Sequence, residues 1–319
     1  MKVRFWGTRG SIPVSFTARS IRPKIKKALF AALQAGLSDP SEIDAFVDKR
    51  LPFSVRGAFG SNTSCVEIVT GGEDFIVCDA GTGIKNFGED ALGRRLHGQP
   101  GVFHLLLSHL HWDHIQGFPF FAPAYIPGNR IFVYSCHGEA DSALRIQQSP
   151  PFFPVGFSEL GAEIVFRTLE PGQEYEIGGA RVLALPQIHP GDSFGFRFFA
   201  NGRSVIYSTD SEHKLDARHP ASPFLEFCNN ADLLIFDAQY GFAESQTLKE
   251  DWGHSSNIVG VELAKDAGVK HLCLFHQEPS LNDAELESFL KETRRYARIY
   301  KRDVPLRVSM AYDGLEITT

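Results

Sequence analysis

The amino-acid sequence predicts an α/β (α+β) fold, a sandwich of two β-sheets with helices on the outside. Three observations lead to it. Short apolar runs, among them Val102–Leu107, Leu233–Asp237 and Leu272–His276, have the length and composition of buried strands. Helical patterns such as Ser256–Ala267 and Asp283–Tyr296 alternate with them. The chain has 319 residues, 43% of them hydrophobic, which is ample for one large core.

Residues 2–6 alternate toward a first strand, closed by Gly7-Thr8-Arg9-Gly10. Strands at Ser64–Val69 and Asp74–Asp79 follow, joined by a turn at Gly71-Gly72. Between the first two strands lies an insertion, residues 15–59. Here Ser20 is expected to cap a helix from Ile21 to Ala35, with Pro23 in its first turn and Gly36 ending it. Asp39-Pro40-Ser41-Glu42 is the start signal of a second helix. Ile25, Leu29, Phe30 and Leu33 form an apolar stripe on the first helix, and Ile43, Phe46, Val47 and Leu51 on the second. Such stripes predict burial, against the main body, over the mouth of a site, or in a dimer contact. The cluster Arg22, Lys24, Lys26 and Lys27 reads as a solvated helix face, with contact to an anionic substrate as the alternative.

The run Val102, Phe103, Leu105, Leu106 and Leu107 suits a strand covered on both faces. It stops at Ser108-His109-Leu110-His111-Trp112-Asp113-His114. In extended backbone His109 and His111 point the same way, and Asp113 and His114 come where the chain turns toward a helix. Ligand-type side chains therefore crowd one strand end, with room for two metal ions. Imidazole and carboxylate without thiolate suit zinc first, and also manganese or iron. Burying these groups unpaired would be costly, so the motif points to metal binding.

Farther along, Gln116–Tyr125 is rich in aromatics and proline and is expected to wall the site. Arg130–Ser135 is a strand. Pro150–Val155 reads as a rigid apolar loop, either covering substrate or packed on its own aromatics at the surface. Strands recur around the turns Glu170-Pro171-Gly172 and Ala200-Asn201-Gly202, and a helix is expected near Phe224–Asn229.

The motif resembles the metallo-β-lactamase superfamily, and the resemblance extends over nearly the whole chain. Three later apolar runs end in matching residues: Ala184-Leu185-Pro186-Gln187-Ile188-His189, Val205-Ile206-Tyr207-Ser208-Thr209-Asp210 and His271-Leu272-Cys273-Leu274-Phe275-His276. The resemblance implies that His109, His111 and His189 hold one metal. Asp113, His114 and His276 would hold the second, with Asp210 bridging both. It implies a four-layer αββα sandwich of the metallo-β-lactamase type, residues 1–319 as one domain, with the N-terminal helical hairpin at 15–59 inserted in it. Asp79-Ala80-Gly81-Thr82-Gly83 looks like the family's first motif, whose aspartate supports the ligand loop from behind. Asn62 is a further supporting candidate.

Two metals roughly 3.5–4 Å apart would share a water, lower its pKa and polarise a phosphoryl oxygen. A leaving alkoxide still needs a proton. Asp237, at a strand end, and His254, in Trp252-Gly253-His254-Ser255-Ser256, could supply it, the acid orienting the histidine. These resemble the acid and histidine motifs of RNase Z and related phosphodiesterases. The expected catalytic residues are therefore Asp113, His254 and Asp237.

The departures are informative. Superfamily β-lactamases carry a cysteine where this chain has Asp210, and di-iron oxygen-reducing members carry an acid in place of His111. The long Gly/Pro-rich arm that accompanies tRNA processing is not seen. The start Val3-Arg4-Phe5-Trp6-Gly7-Thr8-Arg9-Gly10-Ser11 resembles a bacterial group described as related to cyclic-nucleotide phosphodiesterases. The net charge of −6 gives no overall nucleic-acid footprint, although a local basic pocket is compatible with it. The expectation is a dinuclear metal hydrolase acting on a small phosphodiester, with nucleic acid less favoured. An RNA or single-stranded DNA nuclease, a lactone or thioester hydrolase, and a metal-binding scaffold without turnover are the alternatives. Met1–Gly7 lacks a signal-peptide core, and no stretch reaches ~18 apolar residues, so no membrane partner is expected. The five cysteines are odd in number and widely spaced, which suits reduced thiols in the cytoplasm. Cys65, Cys78 and Cys273 read as packing residues. A homodimer is compatible with the helical stripes. Of the remaining histidines, none of which is assigned, His213 is the one that could reach the pocket, with it and Glu212 more naturally supporting or exposed. His97, His104, His137 and His219 carry no assignment.

Overall fold

The computed structural model describes all residues except 96–98, 214–221, 242–248 and 250. The strands, in chain order, are β1 (Lys2–Gly7), β2 (Cys65–Val69), β3 (Phe75–Cys78), β4 (Val102–Leu107), β5 (Arg130–Ser135), β6 (Glu163–Thr168) and β7 (Glu174–Ile177). They continue as β8 (Ala180–Gln187), β9 (Ser193–Ala200), β10 (Arg203–Ser208), β11 (Leu233–Asp237), β12 (His271–Phe275), β13 (Arg307–Met310) and β14 (Glu316–Thr318). They form two seven-stranded sheets, ordered β14-β1-β2-β3-β4-β5-β6 and β13-β12-β11-β10-β9-β8-β7. Both sheets are mixed: β3 to β6 run parallel in the first and β10 to β13 in the second.

Side-chain alternation builds the layers. On β4, Leu106 points between the sheets while Leu105 and Leu107 point outward. On β11, Ile235 points in while Leu234 and Phe236 point out. Val3, Phe5, Phe196, Phe198, Tyr207 and Phe275 fill the space between the sheets. Each such side chain contributes about 1.5–3 kcal/mol of apolar burial. The helices are α1 (Ala18–Gln34), α2 (Ile43–Arg50), α3 (Phe53–Arg56), α4 (Ile84–Arg94), α5 (Trp112–Ile115), α6 (Ala140–Gln147), α7 (Pro223–Cys228), α8 (Asn257–Asp266) and α9 (Asp283–Ile299). Ile84 and Phe87 of α4 cover the outer face of the first sheet, and Val259 of α8 and Leu286 of α9 cover that of the second. The result is the αββα sandwich of the metallo-β-lactamase fold.

The region between β1 and β2 departs from expectation in three ways. Thr17, not Ser20, is the cap of α1: its side chain accepts from Ser20 N, and Ser20 Oγ accepts from Thr17 N. Pro23 consequently lies one turn deeper than the N1 position. After Asp39 the chain first makes a short 3₁₀ turn, Pro40–Glu42, and α2 follows. Third, the stripe of α1 does not bury: Ile25, Leu29, Phe30 and Leu33 are 53%, 61%, 62% and 80% exposed. The inward face is set by Lys24, whose ammonium donates to Gly57 O at 2.6 Å and pairs with Asp283. Ala28, Ala31 and Ala32 are half-buried on the same face. Lys24 thus belongs to a structural pair, while Arg22, Lys26 and Lys27 are exposed.

Candidate metal centre

The site lies where parallel strands end. Asp79 follows β3, His109 to His114 follow β4, Asp210 follows β10, Asp237 closes β11 and His276 follows β12. Strands running side by side in one direction deliver their C-terminal ends to a common edge. Asp79, Asp210 and His276 leave their strands with positive φ, at 61°, 45° and 59°. These non-glycine residues hold left-handed backbone at a cost of about 1–3 kcal/mol each, a strain found mainly at functional sites.

The expected ligands converge. Ligand atoms of His109, His111 and His189 lie within 4.8 Å of one another, as do those of Asp113, His114, Asp210 and His276. Asp210 stands between the two sets. Its Oδ1 is 3.8 Å from both His109 Nε2 and His189 Nε2, and its Oδ2 is 3.1 Å from His114 Nε2 and 3.3 Å from His276 Nε2. One oxygen therefore faces each set, the geometry of a bridging carboxylate.

The donors suit divalent cations. His109 Nε2 is buried with no hydrogen-bond partner among the described residues, and His114 Nε2 faces His276 Nε2 at 3.3 Å. Burial and neighbouring imidazoles push His109 and His111 below the usual histidine range, which leaves neutral rings with free lone pairs. In the second set, burial opposes protonation of His114, but Asp210, Asp113 and Asp79 override it and push the imidazole well up. That concentration of carboxylate suits the positive charge that two divalent ions would supply. No thiolate contributes: Cys65, Cys78, Cys228 and Cys273 are buried and Cys136 half-buried, all five free thiols outside the two sets.

Supporting residues fix the ligands. Asp79 is fully buried and accepts four hydrogen bonds. Ser108 N donates to Oδ1 at 2.7 Å. Ser108 Oγ, Tyr207 OH and His114 Nδ1 meet Oδ2 at 2.8, 2.7 and 2.7 Å. Gly253 O meets His189 Nδ1 at 2.9 Å. Gly253 has φ +85°, and a Cβ there would lie 2.3 Å from His189 Nδ1, so only glycine fits. Glu212 accepts from Asp251 N and Gly253 N and so holds the loop that carries His254. Asn62 touches no ligand side chain: its amide meets Thr82 and Asp313, and its carbonyl accepts from Thr8 N and Arg9 N.

His254 and Asp237 form a pair, Nδ1 to Oδ2 at 2.8 Å. Asp237 also accepts from Ser211 N at 3.1 Å and Gln239 N at 3.2 Å. Burial lowers the pKa of His254, but Asp237 and the more distant Asp210 raise it further, to about 9. The imidazole stacks on His276 with centroids 5.2 Å apart, beside the second ligand set.

The remaining histidines and aromatics are placed as follows. His213 is buried against Phe224 and Phe236, bonds Ser211 Oγ at 2.9 Å, and belongs to neither ligand set. His104 bonds Asp74 and Tyr134, and His137 packs on Phe194. His97 and His219 lie outside the described residues. Phe118 and Phe121 join the outer core instead of walling the site. Trp112, Phe120 and Phe152 remain exposed and line a groove of about 500 Å³ behind the ligand loop. Sequence reasoning missed Ser108 and Tyr207 as partners of Asp79. Nothing local in the sequence announces them, because Ser108 reaches Asp79 from the end of the neighbouring β4 and Tyr207 from β10 in the opposite sheet. Among the described residues no helix is long and apolar enough to cross a membrane.

Two adjacent ligand sets in an αββα sandwich define a dinuclear metal-dependent hydrolase. The chain belongs to the beta-lactamase superfamily, whose domain model matches residues 75–277. It is 33% identical to a ribonuclease Z of Brevibacillus brevis over 98 residues, which are 30% of this chain but only 28% of that protein. With a ribonuclease Z of Methanosarcina acetivorans it shares 24% over 283 residues, 73% of this chain and 87% of the other. Its fold matches the metallo-beta-lactamase fold protein YhfI from Bacillus subtilis with a TM-score of 0.63 at 18% identity, covering 99% and 98% of the two chains.

Proposed function

We propose that this protein is a phosphodiesterase acting on RNA, with His109, His111 and His189 holding one divalent ion and Asp113, His114 and His276 the other across Asp210. The carrying observation is the His254–Asp237 pair, 2.8 Å long, set beside the ligand cluster. Lactone and thioester hydrolysis have no use for a protonated imidazole held there. The ribonuclease Z relatives favour RNA over the small phosphodiester suggested by the sequence. Zinc suits the nitrogen-rich donor set, with manganese or iron as the alternatives.

When bound, the two ions supply the positive charge that activates a water and draws electron density from the phosphoryl group. This chain's own residues do the rest. Asp237 fixes the proton on His254 Nδ1 and orients the ring, so that Nε2–H is free to protonate the leaving oxygen. Tyr240 packs edge-on against His254 at 5.6 Å and limits its rotation. Asp79 fixes the tautomer of His114 and directs Nε2 toward the second ligand set.

The test is cleavage of a fluorescently labelled short RNA by the zinc- or manganese-loaded protein, run beside cyclic mono- and dinucleotides. RNA cleavage is the expected result. Turnover of cyclic nucleotides with the RNA left intact would overturn it and install the small phosphodiester, the second reading favoured by the net charge of −6.

A further inference from the structure

We infer that the loop Thr8-Arg9-Gly10-Ser11 is a positioning element for one half of the metal centre, the set containing Asp113 and His276. The inference rests on the dinuclear reading of that site. Ser11 N donates to Asp113 Oδ2 at 2.8 Å, aimed there by a left-handed backbone with φ of 61°. Gly10 N donates to Gln277 O at 3.0 Å, and Gln277 N donates to Thr8 O at 3.1 Å. These two bonds grip the residue that follows His276 and hold His276 in its own strained conformation. Gly10 also sets the position of that imidazole. A Cβ on Gly10 would lie 2.7 Å from both Cε1 and Nδ1 of His276. A Cβ essentially never comes that close to a non-bonded atom, so the ring would have to move.

Arg9 explains why the loop does not yield. It is 1% exposed, a buried cation that few folds tolerate without a reason. It makes no close ion pair among the described residues. It donates instead to three carbonyls: Nε to Gly60 O at 3.0 Å, and Nη1 to Glu278 O and Leu281 O at 3.2 Å each. The planar guanidinium therefore joins the loop, the segment before β2 and the segment after β12. Lysine has one donor centre and cannot reproduce the fork. By contrast, among the described residues no hydrogen bond joins His109, His111 or His189 to Thr8–Ser11. The geometry consequently predicts an asymmetric effect: disturbing the loop weakens one ion and spares the other.

The test is metal stoichiometry and affinity, measured by competition with a chromophoric chelator and by elemental analysis after dialysis. Wild type should bind two ions. Gly10→Ala should retain one at wild-type affinity and bind the other at least about tenfold more weakly, as for loss of outer support to a ligand. Arg9→Lys should weaken the same ion, and it carries the test should Gly10→Ala fail to fold. Ser11→Gly keeps the N–H donor and should bind both ions like wild type. Equal weakening of both ions, or two wild-type affinities in Gly10→Ala, would overturn the inference. A wild-type protein that binds no ion would instead overturn the dinuclear reading on which it rests.

Discussion

Asp79→Asn is the substitution that separates ligand support from ligation. The side chain is isosteric, but one oxygen becomes an NH₂ donor. All four of its present partners donate to it: Ser108 N to Oδ1, and Ser108 Oγ, Tyr207 OH and His114 Nδ1 to Oδ2. Placing the amide nitrogen at the Oδ1 position sets it against the Ser108 backbone N–H, which cannot become an acceptor. Placing it at the Oδ2 position is less costly, because the two hydroxyls can turn round. His114 Nδ1 then has to accept as well. Its proton moves to Nε2, the atom that lies 3.1 Å from Asp210 and 3.3 Å from His276 within the second ligand set. A ligand nitrogen carrying a proton cannot hold a metal. Losses of this kind are about 10–100-fold in affinity, or about 1.4–2.7 kcal/mol. The expected outcome is a selectively weakened ion in the set containing His114, read by chelator competition, with the zinc-free protein still folded by circular dichroism. Wild-type affinity for both ions in Asp79→Asn would refute the reasoning, because it would mean that the His114 tautomer does not depend on Asp79.

Other predictions follow from the same geometry. His254→Ala should retain both metals yet lose about 10²–10⁴-fold in cleavage of RNA, and far less with a p-nitrophenolate leaving group, which departs without a proton; equal losses on both substrates would exclude the proton-donor role. His254 must be protonated to act and its pKa is raised to about 9, so activity should be present below that pH and fall above it. Bound cations shift this limb downward, so a rate still rising beyond pH 9 would contradict the assignment. Zinc at a hundredfold excess over its dissociation constant should raise stability by about 2.7 kcal/mol per site, seen as a higher unfolding midpoint that chelator reverses. Leu33→Glu should change stability by less than about 0.5 kcal/mol, because Leu33 is 80% exposed; a large drop in the urea midpoint would show that the outer face of α1 is covered in solution.

What the sequence disclosed, and what it withheld, follows from the distance over which each feature is decided. His109, His111, Asp113 and His114 are legible because a strand end and one turn hold them together whatever the rest of the chain does. His189, Asp210 and His276 are weak signals one by one, and the resemblance to the superfamily picks them out at the ends of later apolar runs. The αββα layering could be read from strand composition, although β13 and β14 escaped because they are short edge strands with mixed polarity. The outward turn of α1 could not be read. It depends on Lys24 meeting Asp283, 259 positions away, and the local apolar stripe argues for the opposite face. Nor could the roles of Ser11, Tyr207 and Arg9, each of which reaches across the sandwich or between segments far apart in sequence. The ligands that local chemistry advertises are thus held by partners that only the fold brings near. The strained φ angles at Asp79, Asp210 and His276 mark where the two meet. Strand exits alone would leave those residues relaxed. The bonds from Ser108 and Tyr207 to Asp79, and those between the Thr8–Ser11 loop and Gln277 beside His276, are of the kind that offset such strain.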